Sequence, residues 1–374
     1  MKFLAALTVA LSATAGAFAQ NSGNATTFAE GLLSALRANN LSRLADAVGN
    51  NSAALLGALQ VGNKTVLAPS NQAFQALGND VDNQMLIATI AYHVLNGWVS
   101  YSQLGTNNKT ITASALNSTE FAHLPRNRSQ VVVLSKYSGN NTAYVQLPTG
   151  NVSFSLTSNG PQYQNIRVQP INQVLTIPRN TTDVASGLGA SQLAELLDNA
   201  DLETALDSSI VTVFAPTNEA IQQVAQTVQS ATDEQRAAVL LNHVINGTVV
   251  YSTSLANTPS AISAAGNELR FVANSTGAFV TSGNVTARIV QSDYVARNGV
   301  VHVIDRVLLN TTQNTQAAAS AYSSATAAAA TQTAAPGVGG GSGSGSGNGA
   351  GMVKVSGGAA AVAALLGSGF WLLA

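Results

Sequence analysis

Four histidines, at positions 93, 123, 243 and 302, are the first candidates for proton transfer or metal binding, and their spacing suits neither a zinc site nor a nucleophile–base pair. There is no cysteine, which removes thiol catalysis, thiolate metal sites and disulfides. No G-x-S-x-G elbow, H-E-x-x-H helix or EF-hand loop occurs. Acidic residues gather in DNADLETALD at 198–207, but at helical spacing, which reads as a solvated face. Paired carboxylates for glycoside cleavage would need a convergent site that nothing in the sequence singles out. We therefore expect no catalytic residue, no metal ligand and no cofactor. A net charge of -1 without any Lys/Arg cluster gives no field for nucleic acid.

The histidines belong to a pattern that occurs twice. TVLAPSNQAF at 65–74 returns as TVFAPTNEAI at 212–221, an offset of 147. HVLNG at 93–97 returns as HVING at 243–247, an offset of 150, and INQVL at 171–175 answers IDRVL at 304–308, an offset of 133. Three blocks in one order are two copies of a domain, since the period far exceeds the roughly 20–50 residues of solenoids. The fall in offset puts 17 extra residues in the first copy, and SKYSGNNTAYVQLPTGN reads as the inserted, exposed hairpin or loop.

Each block has a physical reading. TVLAP and TVFAP are buried strands ended by Pro69 and Pro216. Ser70-Asn71 and Thr217-Asn218 offer side-chain oxygens to the free N–H groups of a following helix. The second block ends a helix. Asp82 caps it in copy one, Thr232 and Gln235 make a capping box in copy two, and Gly97 and Gly247 are the stop residues. His93 and His243 then sit in the last turn as hydrogen-bonding structural groups. The third block alternates as a late core strand, with His302 exchanged for Gln169 between copies, an exchange that a hydrogen bond tolerates and proton transfer does not.

The two ends point to a cell surface. Lys2, an apolar run and Ala17-Phe18-Ala19 make residues 1–19 a secretory signal, cleaved between Ala19 and Gln20. The last 16 residues are apolar and lack a basic anchor beyond them, which fits a GPI-attachment tail with Asn348 as the favoured attachment residue and Ser346 or Gly347 as the alternatives. Charged residues are only 9% of the chain, against ~25% in ordinary soluble proteins. Fourteen N-x-[ST] sequons, at Asn24, Asn40, Asn50, Asn63, Asn108, Asn117, Asn127, Asn140, Asn151, Asn180, Asn246, Asn274, Asn284 and Asn310, predict a glycosylated surface in place of a charged one. From about 313 an Ala/Ser/Thr stretch and then a Gly/Ser stretch read as a stalk of roughly 35 residues, averaging about 30–35 Å end to end.

The three blocks resemble the fasciclin (FAS1) family. Its first signature is matched at 65–74 and 212–221. Tyr92-His93-Val94-Leu95-Asn96-Gly97 matches its Tyr-His block. Asn298, Gly299, Val301, His302, Ile304, Asp305, Val307 and Leu308 match its last. The resemblance implies an α+β fold of two tandem FAS1 domains, each a bent β-sandwich or wedge of short strands with helices packed on one side. The expected organisation is signal 1–19, domain one 20–178, domain two 179–312, stalk 313–348 and attachment propeptide 349–374. It also implies adhesion or matrix and cell-wall organisation, with surface or matrix proteins or wall polysaccharides as partners and the membrane reached only through a GPI lipid. The alternative is a wall polysaccharide- or lipid-binding module. Asn242 replaces the Tyr of the Tyr-His pair in copy two, so a partner contact is expected in copy one, at Tyr92, His93, Leu95 and Asn96. Pro69, Asn71, Pro216, Thr217, Asn218, His243, His302 and Asp305 are expected to be structural.

Overall fold

The computed structural model describes residues 27–78, 81–105, 109–137, 142–155 and 161–331. The expected signal, Asn348, the Gly/Ser stretch, the apolar tail and the sequons at Asn24, Asn108 and Asn140 lie outside the described residues.

In the first copy a helix over 27–38 (α1), α2 (Ser42–Asn50) and α3 (Ser52–Gln60) lead to β1 (Lys64–Pro69), α4 (Asn71–Ala76) and α5 (Asn83–His93). There follow β2 (Val94–Asn96), β3 (Lys109–Ala113), β4 (Val131–Lys136), β5 (Thr142–Val145), β6 (Val152–Ser155), β7 (Gln162–Tyr163) and β8 (Ile166–Ile171). They form two four-stranded sheets, ordered β2-β1-β8-β7 and β3-β4-β5-β6. β1 and β8 run parallel with Val66 opposite Val168, so the first and third sequence blocks lie side by side in the core.

The second copy contains α6 (Thr181–Gly187), α7 (Ser191–Asn199), α8 (Glu203–Asp207), β9 (Val211–Pro216), α9 (Asn218–Gln223), α10 (Ala225–Ser230) and α11 (Asp233–Asn242). It continues through β10 (Val244–Asn246), α12 (Ser252–Leu255), β11 (Ser260–Ile262), β12 (Glu268–Asn274), β13 (Gly277–Ser282), β14 (Val285–Ala296) and β15 (Gly299–Ile304). One seven-stranded sheet results, β10-β9-β15-β14-β13-β12-β11. The long β14 bridges its two halves. Register shifts at Gln291 and Tyr294 bend it there. In the first copy β6 and β7 stand in this place, one in each of the two sheets. The α+β class holds in both copies.

Three expectations are corrected. Val94–Asn96 and Val244–Asn246 are strands, not final helical turns, because β-branched residues there find an unpaired edge of β1 and β9. Gly97 and Gly247, at φ 93 and 79, turn the chain after those strands and do not stop a helix.

The extra residues of copy one are also elsewhere. Ser135, Lys136, Ala143 and Val145, inside the stretch expected to be exposed, are buried members of β4 and β5. Ala115 and Ala264 donate to equivalent carbonyls and stand 149 apart, whereas Gln130 and Asn267, which both accept at the next turn, stand 137 apart. Twelve of the 17 extra residues therefore lie between Ala115 and Gln130.

Third, the Ala/Ser/Thr stretch is not all stalk. α13 (Thr315–Thr331) is a helix capped by Asn314, whose Oδ1 accepts from Ala317 N at 2.9 Å. Ala318, Ala321, Tyr322, Ala325 and Ala329 make its half-buried face, at helical spacing. Alanine has the highest helix propensity and lets the helix lie close to its support.

The insertion and α13 help close a seam between the copies. Ile111, Val131 and Val133 of copy one pack with Tyr251, Val295 and Val300 of copy two in one buried cluster. Buried Gln130 donates from Nε2 to Ala296 O at 3.0 Å and accepts from Val131 N at 2.9 Å. Gln146 Nε2 donates to Ser292 O at 2.8 Å, and His123 N to Arg297 O at 2.8 Å. Lys109 Nζ donates to Ser292 O, lies 3.9 Å from the buried Asp293 carboxylate and stands 5.7 Å from the centre of the Tyr294 ring. Arg126 donates to Ala330 O at 2.6 Å, tying the insertion to α13.

Candidate functional site

His93 closes α5 and His243 follows α11 directly, and the two rings make the same contacts. His93 Nε2 accepts from Leu175 N at 2.9 Å, so it carries no proton, and Nδ1 donates to Thr89 O at 2.7 Å. His243 Nε2 accepts from Leu308 N at 2.9 Å, and its Nδ1 donates to Val239 O at 2.7 Å. Both rings are fixed as the Nδ1–H tautomer, and burial lowers each to about 4. Each pins the chain leaving the central strand onto the helix of the second block.

This arrangement corrects the expected partner contact. Tyr92 and His93 are 1% and 2% exposed and Leu95 is fully buried. Tyr92 Oη donates to Val131 O at 3.2 Å, and burial raises its pKa. Asn96 is half-buried, accepting from Lys64 Nζ at 2.8 Å and donating to Ser114 O at 3.2 Å. The helix presents its apolar face inward, and this pair, with Leu95 beside it, goes with it. In copy two Asn242 fills the place of Tyr92, donating to Ser282 Oγ at 2.9 Å and Leu308 O at 3.0 Å.

The first block is structural, with one refinement. Ser70 and Thr217 cap α4 and α9, accepting from Ala73 N and Ala220 N, each at 3.2 Å. Asn71 and Asn218 instead cap a different helix: they accept from Arg43 N of α2 and Gln192 N of α7, both at 3.0 Å. Pro69 and Pro216 end β1 and β9 as expected. His302 stacks on Phe214 at 5.4 Å, donates from Nε2 to Val250 O at 2.8 Å and accepts from Asp293 N at 3.3 Å, while Asp305 Oδ1 accepts from Arg288 N at 2.7 Å.

Copy two has a cavity of about 600 Å³ between α7, α9, α10, α11 and the chain after β15. Leu193, Leu196, Ile221, Leu240 and Val307 line its apolar part, and Asp201, Asp233, Glu234 and Arg236 are also among its walls. His243 reaches it but has both nitrogens engaged. Among the described residues no group of three His, Asp or Glu side chains is placed to hold a metal.

The family model described as Fasciclin domain matches residues 39–177 and again 188–310. This chain belongs to the Fasciclin domain family. Fasciclin-like arabinogalactan protein CTB11 of Cercospora beticola is 25% identical over 259 residues, covering 66% of this chain and 67% of that protein. A fasciclin-like arabinogalactan protein of Arthroderma benhamiae is 26% identical over 66% of this chain and 58% of its own, so the match spans little more than half of that relative. Fasciclin-like arabinogalactan protein elcF of Phaeosphaeria nodorum is 26% identical, over 66% of this chain and 78% of its own. A solved FAS1 domain pair from the insect cell adhesion molecule fasciclin I aligns with 72% of this chain and 97% of that chain, at 17% identity and a TM-score of 0.35.

In the two fasciclin domains, sequence reasoning missed the groups that join the domains. Gln130, Lys109 and Asp293 belong to no repeated block. Asp293 is fully buried at φ 59 in the β14 irregularity, accepting from Ser252 N at 2.6 Å and from Ser252 Oγ. The signal that could have found it is a carboxylate inside an otherwise alternating strand, in RIVQSDYVA.

Proposed function

We propose that this fasciclin-like protein is a glycosylated, GPI-anchored surface protein that acts in adhesion and in organising the matrix or cell wall. The observation that carries this reading is the closed seam between the two fasciclin domains. A pair held as one body presents a continuous surface, able to make several weak contacts at once and to gain avidity without a deep pocket. The signal-like start, the sequon density and the apolar tail support the outer face of the plasma membrane, or the wall, as its place. No helix among the described residues is long and apolar enough to cross a membrane. The partners in this reading are surface or matrix proteins and wall polysaccharides, and the activity is non-enzymatic. A polysaccharide- or lipid-binding role without adhesion is the second reading, favoured by the cavity of the second domain.

The test is attachment of cells under shear, with and without the protein, before and after phosphatidylinositol-specific phospholipase C. Release of the protein together with a fall in attachment to the level of cells lacking it is the expected result. Release with unchanged attachment would overturn adhesion as the main role. A protein that stays on the cell would overturn attachment through a membrane lipid and favour attachment to the wall.

A further inference from the structure

We propose that the cavity of the second fasciclin domain is a binding site for one small amphiphile with an apolar body and a cationic head. Its volume, about 600 Å³, lies within the range of roughly 300–1,000 Å³ of ligand sites, and like them it joins an apolar lining to a few polar groups. An open apolar cavity gives up contacts that a packed core would make, so an apolar occupant gains what the empty fold lacks.

Part of the wall comes from a stretch that is longer in the second copy. Pro69 and Pro216 stand 147 apart and His93 and His243 stand 150 apart, so three extra residues lie between the first two blocks of copy two. α10 occupies that stretch. None of its residues is buried, yet Thr227 and Val228 line the cavity. A helix that puts no side chain into the core adds little to folding, and its position against the cavity is what remains to explain it.

The walls select the head group. Three carboxylates, Asp201, Asp233 and Glu234, and one guanidinium are among the walls, and Arg236 is already engaged by Asp233 and by Ala231 O at 2.6 Å. The lining is therefore net negative, by two charges. A cation there is attracted and a carboxylate head repelled. His243 has both ring nitrogens engaged, by Leu308 N and Val239 O, so it offers no polar contact to an occupant.

The inference is independent of adhesion, since it is read in solution on the purified, full-length glycosylated protein. Dodecylamine and dodecanoate share an apolar body and carry opposite charges at pH 7. Titration calorimetry below their micellar concentrations is expected to show one dodecylamine per chain, with dodecanoate about tenfold weaker. Ala237→Trp, which fills the cavity from α11, should abolish both. Asp201→Asn with Glu234→Gln, both at exposed positions, should erase the preference while leaving the fold intact. Absence of dodecylamine binding, equal affinity for the two probes, or binding that survives in folded Ala237→Trp overturns the proposal. If Ala237→Trp fails to fold, a head-group preference unchanged in the double variant overturns it.

Discussion

Leu175 donates its amide to Nε2 of His93 at 2.9 Å across 82 residues of chain. The bond joins the exit of β8 to the end of α5, and the second domain repeats it with Leu308 and His243. Protonating either ring would lose that acceptor and place a charge in the core.

Stability should therefore fall with acid. Burial holds both folded histidines at about 4 against an ordinary 6.5. Between those values the unfolded chain binds protons that the folded chain does not. The contribution is complete above pH 6.5 and is lost as pH falls from there to 4, by on the order of 3 kcal/mol per histidine. Urea midpoints at pH 7.5, 5.5 and 4.5 check this. A midpoint that stays constant over the range would contradict it.

The seam predicts that the two domains melt together. Gln130→Ala leaves the carbonyls of Ala296 and Arg297 without the Nε2 donor they now share, at a cost of about 1–3 kcal/mol. Calorimetry of the parent chain should show one transition, with the variant melting earlier or in two steps. Two separate transitions in the parent would mean that the domains fold independently.

What the sequence reveals and what it hides follow one division. Contacts within a few residues are legible: Asp82 accepts from Gln84 N and Met85 N, and Thr232 and Gln235 form their capping box. Contacts between distant segments are not legible. Offsets show how many residues were inserted but not where, and the polar, Gly/Asn-rich stretch drew attention from Ala115–Gln130. Tyr92 and His93 carry a signature whatever their burial, and only the fold shows that they face inward. Ala-rich composition fits a stalk and a docked helix equally well, and Tyr322 against Gly247 decides for the helix.

Docking of α13 should depend on Gly266. Its φ is +84, and a Cβ there would stand 1.9 Å from Asn314 O, the residue that caps the helix. Gly266→Ala is expected to cost more than about 1 kcal/mol and to loosen the start of α13. Limited proteolysis should then cut near residues 310–320 in the variant and spare the parent. Equal protection of the two would show that α13 is held without this approach.

Sequon occupancy should follow the fold. Asn274 sits at the β12–β13 turn, where Thr276 donates to its Oδ1 from N at 2.8 Å and from Oγ1 at 2.6 Å, and the residue is exposed. Asn284 is exposed in the next turn. Asn180 is different. Its Nδ2, the atom that would carry the sugar, donates to Asp207 Oδ2 at 2.7 Å in a half-buried niche, and Thr181 and Thr182 of the same sequon are buried. A glycan there would separate α6 from α8 and strip Asp207 of its donor. Burial and the neighbouring Glu203 and Asp183 already push that carboxyl up to about 6. Glycopeptide mass spectrometry of the secreted protein should find Asn274 and Asn284 occupied and Asn180 bare. Full occupancy of Asn180 in folded protein would mean that the contact between α6 and α8 yields to the sugar, and that the linker between the domains is set differently from the structure.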